Sequence, residues 1–193
     1  MYSSTFEKAV DHLMLYEVGS AWKLTPAAEA GLIDTPQNRK ACGYTNDPSD
    51  HGKETKYGIS KSANPDINVT TLTWTNAKDV YNKRYWIPCK CEVLPTRIAA
   101  LAFDSAVNHG VSKSAKFVQK AVGAVPDGII GELTLKRVAA ADEIYVCNSI
   151  CDQRIAVYLA IIDNDATQEK YKNGWLRRVE EMRKYVTDLN TKF

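Results

Sequence analysis

Residues 43–60 read GYTNDPSDHGKETKYGIS. Asp47, Asp50 and Glu54 crowd into the first part of this stretch among small polar residues and turn formers, and TKYGIS after them has the look of a short strand. Like charges packed this closely repel, so folding alone gives no reason for them. A calcium loop, a solvated turn and half of a carboxylate catalytic site are the candidate readings. Acids at the first, fourth and eighth places of DPSDHGKE do not fit the EF-hand loop. On the residues alone the other two readings stay open.

Upstream, Ser4 to Tyr16 is expected to be a helix. Ser4 and Glu7 fit a capping box, Phe6, Val10, Leu13 and Met14 recur at helical spacing, and Gly19 is the expected stop. Glu17 follows Leu13 by four positions and Val10 by seven, which at about 100° per residue puts a carboxyl on the apolar stripe at the helix's C-terminal end. Lost hydration there favours the protonated form, as a general acid needs; a frayed helix end in water is the bland alternative. Asp50, in a wet glycine-bearing turn, is the natural charged partner. Two carboxyls in unlike environments are what glycoside hydrolysis requires. Thr55 is a candidate to position a water or a sugar hydroxyl, with simple strand propensity as the alternative.

Beyond Gly19, residues 20–42 read as an irregular excursion with at most a helical turn at PAAEAGL, and residues 43–60 as a small hairpin. LTWTNAKDVYNKRYW is expected to be a helix capped by Thr73 or Thr75, with Ala77, Val80, Tyr81 and Tyr85 inward. PTRIAALAFDSAVNHG is apolar almost all round, which marks a central buried helix ended by Gly110. Asp104 and Asn108 share one face of it, to bond each other and the hairpin or to line a cleft. Helices follow at SKSAKFVQKAVG, ELTLKRVAAA, DEIYVCNSICDQRIAVYLAII and GWLRRVEEMRKYV. With about seven helices, one small hairpin and no βαβ rhythm, the expected class is α+β, predominantly helical.

Composition narrows the function classes. A net charge of +2 over 193 residues gives no electrostatic case for nucleic acid. Lys170, Lys172, Arg177, Arg178, Arg183 and Lys184 are interrupted by Glu169, Glu180 and Glu181 and read as a solvated helix face. No stretch is apolar enough to insert in a membrane, and the N-terminus lacks signal-peptide features, so synthesis in a cytoplasm is expected. Five cysteines, an odd count with spacings unlike common zinc sites, read as buried reduced thiols rather than a metal centre. The three histidines lie far apart, and there is no GxSxG or glycine-rich phosphate loop.

NDPSDHGKETKYGIS resembles the NDPxDxGGxTxYGIS signature of the glycoside hydrolase 108 lysozymes common in phage endolysins. LTWTNAKDVYNKRYW resembles that family's helix ending in Tyr-Trp, LAFDSAVNHG its FDxAVNxG segment, and VGAVPDGIIGELTL the start of its peptidoglycan-binding region. The resemblance implies a lysozyme-like fold, with residues 1–111 as the catalytic part and residues 112–193 as a C-terminal helical part. It implies an N-acetylmuramidase that hydrolyses the β-1,4 bond between N-acetylmuramic acid and N-acetylglucosamine in peptidoglycan. No cofactor and no metal are implied, and a monomer is expected. Glu17, Asp50 and Thr55 take the catalytic positions; Tyr57, Asp104 and Asn108 are candidates for substrate binding. The resemblance also implies a phage endolysin, expected to wait in the host cytoplasm for a holin before reaching the wall from the periplasm.

The chain departs from the family pattern in places. The family's acid stands in an EGG sequence shortly before the Asp, whereas here EVGS holds Glu17 and residues 20–42 intervene, an insertion expected to form a flap. Glu29 is the rival acid. Lys53 replaces a glycine of the signature, and His51 stands at its variable position, where the family commonly has proline. A non-catalytic wall-binding protein and a lytic transglycosylase are the alternative functions.

Overall fold

The structure, a computed structural model, describes residues 1–19, 22, 25–46 and 54–189. They form a mainly helical α+β fold with one small three-stranded antiparallel sheet. The chain divides into two compact units, residues 7–83 and residues 1–6 with 84–193.

The first unit is built on α1 (Ser4–Glu17). Val10, Leu13 and Met14 are buried, as their spacing requires; Phe6, also buried, belongs with the other unit. The cap differs from expectation by one residue. Ser3, not Ser4, accepts from the Phe6 amide, and Glu7 pairs with Lys78 at 3.0 Å instead of reaching back to the helix start. The segment expected to be irregular but for a helical turn at PAAEAGL contains two short helices, α2 (Pro26–Ala30) at that turn and α3 (Pro36–Ala41) beyond it. Each follows a Thr-Pro pair. Thr25 and Thr35 take extended backbone and accept from the amides of Ala28 and Asn38, while proline in the first turn has no amide to leave unpaired.

Strands β1 (Thr45–Asn46), β2 (Glu54–Lys56) and β3 (Ile59–Ser60) pair in that order, Thr45 opposite Thr55 and Thr55 opposite Ser60. The sheet thus has one strand more than the expected hairpin. Two buried side chains of residues 56–57 tie it to the helical segment. Lys56 is fully buried, and its ammonium donates to the carbonyls of Gly31 (2.6 Å) and Thr70 (2.8 Å). Burial pushes its pKa down, and two carbonyl acceptors keep the charge from being orphaned. The Tyr57 hydroxyl donates to the Ala28 carbonyl, and its ring packs with those of Trp22 and Trp74. Within the 20–42 insertion expected to form a flap, residues 25–42 are therefore fastened to β2. Helix α4 (Trp74–Tyr81) is capped by Thr73 and continues as a π-helical turn, Asn82–Trp86, so that Trp86 is buried where Tyr85 was expected.

The second unit centres on α5 (Thr96–His109), buried without a break from Ile98 to Ala106 and ended by Gly110 at φ 84°. Helices α6 (Val111–Ala121), α8 (Glu143–Asn164) and α9 (Lys172–Asp188) pack on it; α7 (Glu132–Ala140) precedes α8. No helix among the described residues is long and apolar enough to cross a membrane. All five cysteines are buried and unpaired.

One buried ionic group holds three of these helices. The Asp104 carboxylate of α5 lies 2.6 Å from Arg154 of α8 and 2.8 Å from Arg178 of α9. Burial opposes its charge, but the two guanidiniums outweigh that and hold the carboxyl below its usual range. Arg178 therefore turns inward, away from the solvated face expected of the C-terminal basic run, while Lys170, Arg177 and Lys184 stay exposed. Nearby, burial and the positive charge of Arg154 push the His109 imidazole down to about 4.

Asp104→Ala should cost about 3–5 kcal/mol, the usual penalty for stranding a buried partner charge, read as a shift in the denaturant midpoint. The His109 shift sets a pH window. The unfolded chain takes up this proton at a higher pH than the fold does, so stability falls as pH drops from 6.5 towards 4. Denaturation midpoints measured across this window should fall in the wild type and flatten in His109→Phe.

Candidate active site

In the first unit the chemistry gathers where β2 turns into β3. Lys56 pairs with Ile59, leaving Tyr57 and Gly58 as a two-residue turn with φ of 51° and 74°. Two left-handed residues in succession define a type I′ hairpin turn, a conformation that suits glycine and strains tyrosine by roughly 1–2 kcal/mol. Three hydrogen bonds hold it. The Tyr57 amide donates to the Cys42 carbonyl (2.8 Å), its hydroxyl donates to the Ala28 carbonyl, and the Tyr81 hydroxyl donates to the Tyr57 carbonyl (2.7 Å). At about 1 kcal/mol each, they outweigh the strain.

This turn lies directly against the end of α1. A Cβ built on Gly58 would stand 2.8 Å from the Cβ of Glu17, from its Oε2 and from the Tyr81 hydroxyl. The absence of a side chain at 58 is thus what lets the half-buried Glu17 carboxylate sit where it does. Thr55 is half-buried in β2, and by alternation it faces away from Lys56. With Thr45 and Ser60 directly opposite on the flanking strands, it forms a row of hydroxyl side chains on one face of the sheet.

The remaining expected site residues are placed as follows. Asp50 lies outside the described residues, as do its neighbours His51 and Lys53. The Tyr57 ring is fully buried with no face open to stack on a sugar; burial also pushes its phenol pKa up. Asp104 and Asn108 belong to the other unit. Asp104 is occupied by Arg154 and Arg178; Asn108 is exposed and donates to the Asp104 main-chain carbonyl at 2.7 Å. The rival acid Glu29 is exposed in α2, and Glu54, one of the crowded acids, accepts from the hydroxyls of Tyr44 (2.8 Å) and Thr70 (2.7 Å). Gly58 and Tyr81 are parts of the site that the sequence pattern does not single out. The signal for Gly58 was the YG pair between two strand-like runs, the mark of a tight turn that puts a backbone close to something else.

Fold and site together describe a lysozyme-like α+β protein with an acid at the end of its first helix. Residues 39–110 match the family model of Glycosyl hydrolase 108, and residues 113–180 match that of a Predicted Peptidoglycan domain. These matches place the two stretches in a glycoside hydrolase family and a peptidoglycan-domain family, as the motifs implied. The first holds Asp50, Thr55, Tyr57 and Gly58; Glu17 precedes it. The solved structure of Brucella abortus SagA superposes with a TM-score of 0.69 over 95% of this chain and 94% of that one, at 28% identity. No curated protein matches the chain.

Gly58→Ala should be damaging twice over, through its positive φ and through collision with Glu17. Gly123→Ala, at φ 66° with no neighbour nearer than 3.5 Å, meets only the first penalty. Equilibrium denaturation should show Gly123→Ala losing about 1 kcal/mol and Gly58→Ala losing clearly more.

Proposed function

We propose that this protein is an endolysin-type N-acetylmuramidase, cleaving the β-1,4 bond between N-acetylmuramic acid and N-acetylglucosamine. The coarser statement, a glycoside hydrolase directed at peptidoglycan, follows from the two family matches. The finer one is carried by a single observation: the carboxylate of Glu17 is seated against a side-chain-free turn, Gly58, at the end of the strand that bears Thr55.

In this reading Glu17 is the general acid that protonates the leaving oxygen. Asp50 is the charged carboxylate that serves the opposite side of the sugar ring, as base or nucleophile. Thr55 and its hydroxyl neighbours hold a water or a sugar hydroxyl. Tyr57 serves the site from inside, as the buried peg that fixes the turn. Asp104 and Asn108 act through the fold of the other unit. Residues 1–111 form the catalytic part and residues 112–193 the wall-binding part of a monomer that leaves the cytoplasm through a holin lesion.

Glu17→Gln should abolish release of reducing ends from purified peptidoglycan while leaving the thermal midpoint nearly unchanged. A loss of at least about a hundredfold is expected for a general acid; unchanged turnover removes Glu17 from the mechanism. Wild-type protein that pellets with peptidoglycan but releases no reducing ends would make this a binding protein instead. Anhydro ends on the released muropeptides, read by mass spectrometry, would make it a lytic transglycosylase.

A further inference from the structure

Helix α8 carries two stripes. One, with Val146, Cys147, Ile150, Cys151, Arg154 and Tyr158, is buried in the second unit. The other lines an open groove of about 400 Å³ formed by Tyr145, Asn148, Ser149, Asp152, Gln153 and Ala156. At 1.5 Å per residue these positions run roughly 16 Å along the helix, and the volume lies in the range of small-ligand sites.

Packing does not account for this second stripe. The Tyr145 side chain is 65% exposed, a large aromatic surface left in water. The polar groups beside it are nevertheless held in place from both flanks. Arg183 of α9 donates to the Asn148 side-chain oxygen (2.9 Å) and to Asp152 (2.7 Å). The Gln153 amide donates to the Phe117 carbonyl of α6 at 3.0 Å, and its own oxygen is turned into the protein, buried. Side chains ordered before any ligand arrives lose less entropy on binding.

We propose that this groove is a glycan subsite that takes an N-acetylhexosamine unit of the peptidoglycan strand, separate from the Glu17 site. The chemistry matches an amido sugar. The Tyr145 ring offers a face to the apolar side of the pyranose. Asn148, Ser149 and Asp152 offer donors and acceptors for the hydroxyls and the acetamido group. Ala156 leaves room at the end of the groove. The proposal rests on the peptidoglycan reading above and adds the place where the C-terminal part holds the strand.

The test uses the full chain in a Glu17→Gln background, so that the wall is not digested. Bound fractions are measured by co-sedimentation with purified sacculi, and soluble chitotetraose or a soluble stem peptide is added as competitor. Tyr145→Ala and Ala156→Arg, both at exposed positions, should each weaken binding at least about fivefold, the size expected for losing an aromatic contact at a binding site. Lys136→Ala, an exposed change on α7, should not, and all three should keep the parent's melting temperature. Chitotetraose should compete. Unchanged binding by both groove variants overturns the proposal, as does competition by the stem peptide alone. If unmutated protein still releases reducing ends in that case, the hydrolase reading survives and only the groove falls. If unmutated protein neither binds nor cleaves sacculi, both fall.

Discussion

The Tyr57–Gly58 turn is the constraint on which the candidate site depends. A tyrosine forced into left-handed backbone is tolerated because its phenol is buried and bonded to Ala28 and because its carbonyl is held by Tyr81. Those bonds fix the next residue, and the next residue has no side chain, so the Glu17 carboxylate can lie against bare backbone. The strain is local and its compensation comes from three separate segments: α2, α4 and the loop after α3. A change in any of them acts on Glu17 without touching it.

The second unit solves a different problem by similar means. There Asp104 is buried at the centre of α5, and the chain surrounds it with Arg154 and Arg178 from two further helices. Such groups add less stability than apolar packing of equal volume, since desolvation takes back most of the attraction. What they supply is arrangement: α8 and α9 each have one rotation and one height at which their guanidinium meets the carboxylate. The same placing of α8 leaves its outer stripe as a groove and its inner stripe in the core.

Much of this was legible in the residues. The apolar stripe of α1, the all-round apolar α5 and the Gly110 stop follow from periodicity and from glycine's conformational freedom, and the structure has them where the pattern put them. Helix α2 stands at the turn expected at PAAEAGL, while α3 was missed although both carry a Thr-Pro start, because at five and six residues they are too short to show a hydrophobic period. Arg154 was missed as well. It sits seven positions after Cys147, on the buried face of α8, where the argument that singled out Glu17 applies equally, but it was not singled out. The role of Tyr57 turned on something no local pattern holds. Whether a turn tyrosine points to solvent or inward depends on a carbonyl 29 positions away in the chain.

The most direct measurement is a crystal structure of the protein with a slowly cleaved peptidoglycan oligosaccharide bound. The account predicts a glycosidic oxygen within about 3 Å of the Glu17 carboxyl, with the sugar resting over the bare backbone of Gly58. A saccharide bound productively against another acid, with Glu17 turned to the protein alone, would contradict it.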